Sequence, residues 1–159
     1  MTTRTYGNYE PTLAEFKAHI RLTTSDMDAD LTLKLLAAIR AAEHYIGAVI
    51  AQSGFVYTGP YVKTITLEAP VISVTGVEVD GVALTTDEWS LAGDKLTVQV
   101  EGTSMEVAYT AGMAVVDPDI KAAILLHAAA LFNNPVDSVE VLPKASTRLL
   151  DPYRTWGVR

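Results

Sequence analysis

Hydrophobic positions follow two different periods in three successive stretches of the chain. From residue 12 to residue 54 they recur at the three- and four-residue steps of a helix. In "TLAEFKAHIRL", Leu13, Phe16, Ala18 and Ile20 are separated by charged residues. Thr12 with Glu15 three residues on forms the pattern of a capping box, so a short amphipathic helix is predicted. "SDMDADLTLKLLAAIRAAEHYIGAVIAQSG" predicts a long helix through Leu31, Leu35, Leu36, Ile39, Ala42, Ile46, Val49 and Ile50. Ser25 or Asp26 can cap it, Asp28 and Asp30 suit its positive N-terminal end, and Gly54 ends the pattern.

Between residues 62 and 110 the period drops to two, and five or six short antiparallel strands in a meander are predicted. Asp80-Gly81 sits between alternating apolar runs and reads as a hairpin turn, because both of its positions need positive φ. A second turn falls at Gly93-Asp94. "DPDIKAAILLHAAALFNNP" returns to helix, with Asp117 as cap and Pro118 at the first helical position. From Ile120 to Phe132 only Lys121 and His127 are polar, so this helix is apolar nearly all round and must be covered on several sides. Part of that cover is expected from another subunit. A last short helix is predicted in "ASTRLLDPY". The sum is an α+β fold: a bundle of about four helices with an antiparallel β-meander inserted between the second and third. The expected organisation is one domain over 1–159, with a β-rich insertion at 62–110 and a C-terminal tail at 151–159.

Composition sharpens this picture in three ways. With 49% apolar and 19% charged residues the chain should fold, and 159 residues suit one domain. It has no cysteine, which removes disulfides and thiolate metal sites. No stretch approaches the roughly 20 apolar residues that span a bilayer, and the N-terminus lacks the apolar segment of a signal peptide. The net charge of −7 is unevenly spread: residues 68–119 hold ten acids and one base, while 144–159 hold one acid and four bases. The middle would repel a phosphate backbone and the tail would attract an acidic surface, so a conventional nucleic-acid interface is not expected.

Candidate chemistry is sparse. His19, His44 and His127 fall on three predicted helices and none stands in an H-E-x-x-H pattern. "DMDADL" opens like a calcium loop but has Leu31 where glycine is needed and Ala37 where glutamate is needed. "EGTSME" lacks the ending of a phosphate loop, and no G-x-S-x-G elbow occurs. The pairs Asp87/Glu88 and Asp117/Asp119 lie at turns or a cap, where solvated surface is the ordinary reading. No catalysis, metal or cofactor is expected. Trp89 reads as core; a ligand- or carbohydrate-binding module using Trp89 and Tyr109 on the meander is the alternative. The tail differs, because Arg148, Tyr153, Arg154, Trp156 and Arg159 are of the types that dominate interface hot spots.

In their order and spacing, "LAEFKAHIRL", an acidic turn, "LTLKLLAAIRAAEHYIG", "EVAYTAGM", "VDPDIKAAILLHAAALFNNP" and "LLDPYRTW" resemble the head–tail connector proteins of tailed bacteriophages, also called adaptor or head-completion proteins. The resemblance covers nearly the whole chain. It departs at residues 62–110, where many members have only a short connection. It implies a structural virion protein at the head–tail interface, made in the host cytoplasm. Such a protein forms a homo-oligomeric ring, usually dodecameric, on the portal protein. The ring extends the DNA channel without binding DNA specifically and gives the tail or stopper protein its attachment point. It also implies portal docking through Arg148, Leu149, Leu150, Tyr153, Arg154, Trp156 and Arg159. A closed ring needs contacts between two different faces of each subunit. The apolar stripes supply candidates for one face: Leu35, Ile39 and Ile46 of the long helix, with Ile124, Leu131 and Phe132 of the third.

Overall fold

The computed structural model describes residues 1–134 and 142–154. The chain divides into two compact units. Residues Met1–Asn8 and Ala51–Ala114 form a β unit, and Tyr9–Ile50 with Val115–Arg159 form a helical unit.

The helical unit holds α1 (Leu13–His19), α2 (Asp28–Ile46), α3 (Pro118–Asn133) and α4 (Lys144–Leu150), followed by a single 3-10 turn at Asp151–Tyr153. Thr12 caps α1 as expected: its hydroxyl accepts from the Glu15 N–H, and the Glu15 carboxylate accepts from the Thr12 N–H. The buried face of α2 runs through Leu31, Leu35, Ala38, Ile39, Ala42 and Ile46. Its ends differ from the expectation. Met27 occupies the cap position without a side-chain bond, so neither Ser25 nor Asp26 caps it. The helix stops at Gly47 rather than Gly54, because Gly47 takes the left-handed conformation (φ 76°) and its N–H closes onto the Glu43 carbonyl. The Glu43 side chain then reaches past the helix end, and its Oε1 accepts from the buried Ile50 N–H at 2.9 Å.

The β insertion between α2 and α3 is present, and it is wider than 62–110. It runs from β2 (Ser53–Pro60) through β3 (Thr64–Thr66), β4 (Val71–Val79), β5 (Val82–Ala83), β6 (Trp89–Ala92) and β7 (Lys95–Val98) to β8 (Ser104–Ala111). A further strand, β1 (Thr2–Tyr6), precedes α1. All pairings are antiparallel, in a five-stranded sheet of order β1-β2-β8-β4-β5 and a three-stranded sheet of order β3-β7-β6. The period-two pattern is clearest in β8, where Met105, Val107, Tyr109 and Ala111 are buried and Glu106 is exposed. Asp80 and Gly81 both have positive φ (50° and 77°) between the paired Val79 and Val82, as a type I′ hairpin requires. Gly112 (φ 136°) allows a close backbone approach, since a Cβ there would lie 2.8 Å from the Gln52 nitrogen.

Candidate interaction surface

The C-terminal segment is built onto its own helices through Arg154. Ser146 of α4 is buried and donates to the Ala123 carbonyl of α3 at 3.0 Å. Leu150 has no exposed surface. Beyond it, the Tyr45 hydroxyl of α2 donates to Asp151, and this bond raises the Tyr45 pKa. The Arg154 guanidinium lies 5.1 Å from the Tyr45 ring centroid. Tyr153 bonds to the carboxylate of Asp117, and partial burial together with that bond raises its pKa. The same bond explains why Asp117 stands at the N-cap of α3 without capping it through its side chain.

Of the residues expected to dock on a portal, those at 148–154 are thus in large part engaged by the chain's own helices. Leu150 is a core anchor with nothing to offer a partner. Tyr153 and Arg154 have partners within the chain. Arg148 is exposed and Leu149 half-buried. Trp156 and Arg159 lie outside the described residues.

The residues expected at a subunit interface separate in the same way. Leu35, Ile39, Ile46 and Ile124 are fully buried within the helical unit, so intrachain packing accounts for their apolar character and they present no face to a neighbour. Leu131 and Phe132 are half-buried at the end of α3. The buried stripe of α3 is Ile120, Ala123, Ile124, His127 and Ala128. The remaining apolar side, with Leu125, Leu126 and Ala129, is half-buried and was not singled out by the sequence. A helix apolar all round offers no periodic contrast from which to choose. His127 is 6% exposed, and its Nδ1 has no hydrogen-bond partner; burial lowers its pKa.

The β unit carries eight acids and three bases, a net −5. Glu78 and Glu106 face each other across β4 and β8, both exposed, an arrangement of like charges that works against the sheet. Asp80 is held as an anion in the turn: it accepts from the Thr103 hydroxyl (2.6 Å) and from the N–H groups of Ser104 (2.8 Å) and Thr103 (3.1 Å). These bonds, the Thr103 hydroxyl first, lower its pKa to about 2. Tyr109 is buried, stacked on Phe55 at 5.2 Å, and Trp89 is half-buried, so the two do not form an exposed aromatic platform. Among the described residues no group of three or more His, Asp or Glu could hold a metal ion, and no helix is long and apolar enough to cross a membrane.

Over 99% of its length the chain is similar to chains of a gene transfer agent, a phage-like particle. One belongs to the neck of the empty particle computed with C6 symmetry, another to the virion of the native particle; both show 25% identity, a TM-score of 0.73 and 97% of that chain covered. A third, from the neck of the native particle computed with C12 symmetry, shows 23% identity, a TM-score of 0.74 and again 97% coverage. No protein-family model matches the sequence, and no curated protein matches it. The arrangement of helices and inserted sheets is thus an architecture also found in the neck of a particle of this kind.

Proposed function

We propose that the chain is a structural neck protein of a phage-like virion, and within that class a head–tail connector. In this role it forms a ring on the portal, extends the DNA channel and offers the tail or stopper its attachment point. The observation that carries the reading is likeness along essentially the entire chain, β insertion included, to chains of a gene transfer agent. The C12 and C6 symmetries of those necks support a ring. The acidic β unit supports a passage that DNA crosses without adhering, since contacts to phosphate are what retain DNA. No reaction and no cofactor belong to this role.

Docking to the portal would use the C-terminal end, with Arg148 and Leu149 as the contacts α4 presents and Trp156 and Arg159 beyond them. Mass photometry of the purified chain, alone and with a portal ring, tests the assignment. The expected result is a discrete ring-on-portal complex. A double variant, Arg148→Glu with Leu149→Asp, should keep the helical content and lower portal affinity by about 10-fold or more. Absence of any complex between the wild-type chain and the portal would overturn the connector role.

A further inference from the structure

The five-stranded sheet ends in two edges of different character. At one edge, β4 carries two irregularities of register, between Val71 and Ser73 and between Val74 and Gly76, and β5 shields its last two residues. Bulges and short covering strands are devices by which native sheets blunt an edge. Among the described residues, the opposite edge, β1, has neither. Its five residues keep continuous register with β2 and include no proline, lysine or acid. Its single charged side chain turns back onto its own sheet: Arg4 Nε donates to Ser53 Oγ at 3.0 Å, and the guanidinium lies 4.2 Å from the Tyr6 ring centroid.

The phase of the ladder fixes what this edge presents. Met1 and Thr58 exchange both backbone bonds (2.6 and 2.8 Å), and the Gly7 N–H donates to the Gln52 carbonyl. Bonded pairs alternate along an antiparallel ladder, so the N–H and C=O groups of Thr2 and Tyr6 point away from β2. The three-stranded sheet has an edge of the same kind. β6, "WSLA", is uncharged and in continuous register with β7. The two-residue turn joins the bonded pair Ala92 and Lys95, so the backbone groups of Trp89 and Leu91 point outward, and the Leu91 side chain is 38% exposed.

We propose that β1 of one copy pairs edge to edge with β6 of the next copy, and that this strand addition is the ring-forming contact. The proposal rests on the ring assembly argued above. A cyclic assembly needs two different, complementary surfaces on each copy, and among the described residues this chain carries two strand edges without bulge, proline or acid, on two different sheets. Main-chain pairing of this kind supplies affinity without charge or large side chains. Pairing of β1 with β1 would be two-fold and would stop at a dimer.

Two sets of variants test it. Thr2→Pro and Leu91→Pro each remove one outward N–H without deleting a ladder bond inside the chain. Each should keep its circular dichroism spectrum and lose ring formation in native mass spectrometry, with self-association weakened at least about 10-fold, the loss of one or two bonds repeated at each contact. An equimolar mixture should recover dimers joined through the intact edges, and no rings. Cysteines are absent from the natural chain, so engineered pairs read out cleanly. Thr3→Cys and Thr5→Cys, each combined with Ser90→Cys, place thiols at the positions that come closest in the new ladder, and oxidation should link copies into a ring-length series. Rings that persist in both proline variants with no cross-link in either pair overturn edge pairing and leave the ring itself standing. A Thr3→Cys single variant that yields dimers and nothing larger also overturns it. A wild-type chain that forms no ring, with or without portal, overturns the ring and this contact together.

Discussion

The helical unit closes on side chains with no exposed surface, among them Phe16, Leu31, Leu35, Ile39, Ile46, Ile124 and Leu150; buried Ser146 ties α4 to α3, and buried Glu43 holds the segment that leaves α2. The β unit has fully buried residues too, notably Leu96, Val98 and Val107, but it fixes its turns at the surface with carboxylates and hydroxyls. It also carries most of the negative charge and a facing pair of glutamates. In the helical unit stability and surface compete for the same apolar residues, so residues suited to an interface are consumed by the core. In the β unit the alternation of a strand separates the two tasks, one face for packing and the other for charge.

The strongest test of that contrast is Leu150→Ala. With no room to collapse, the cavity should lower stability by about 2–5 kcal/mol. Hydrogen exchange should place the loss in the helical unit and leave the amides of β2, β4 and β8 protected. Equal loss in both units would mean that their cores are not independent. Next comes Glu43→Ala, which strands the buried Ile50 N–H beyond the end of α2 and should cost about 1–3 kcal/mol in chemical denaturation. Glu43→Gln should recover most of the loss, because an amide oxygen can still accept that bond. A Gln variant as unstable as the Ala variant would show that the charge, not the bond, matters.

His127 sharpens the comparison through pH. Burial holds its folded pKa below the ordinary 6.5, so the unfolded chain takes up a proton more readily. The contribution is complete above about pH 6.5 and is lost as pH falls through the folded value. Wild type should lose stability over that range, and His127→Leu should not. Identical pH profiles would mean that the imidazole reaches solvent when protonated.

Several of these features were legible in the residues. The stripe of α2, the Thr12–Glu15 box and the Asp80-Gly81 turn each follow from a local rule that tertiary structure did not override. β1 was not legible, since "TTRTY" has no alternation of apolar residues; it is a strand because β2 offers it a ladder. β2 carries Gly54, Gly59 and Pro60, residues depleted in strands, and its start was hidden by a helix end placed seven residues late. Spacing shows that Leu35 or Ile124 must leave water, and it cannot tell whether the chain's own core or a neighbour receives them. Asp117 shows the same limit at a single residue: the cap position was read correctly, while its carboxylate is taken by Tyr153 from the far end of the chain.

The smallest expected effect belongs to the β unit's exposed turn. Asp80 has a folded pKa of about 2 against an ordinary 3.8, because hydroxyl and backbone donors from Thr103 and Ser104 favour its anion. A depressed carboxyl pKa contributes stability that is whole above about pH 4 and disappears as pH falls through about 2. Asp80→Asn keeps a residue that tolerates the positive φ of this position, so it removes the charge without straining the turn. The unfolding midpoint of the variant at neutral pH should drop by a few degrees at most, since water screens this site. Its midpoint should also fall less steeply than that of wild type between about pH 4 and 2. The helical unit's amides should not respond. Parallel acid profiles for the two proteins would mean that the donors around Asp80 are satisfied by water just as well, and that the β unit's surface charge contributes nothing to holding its hairpin.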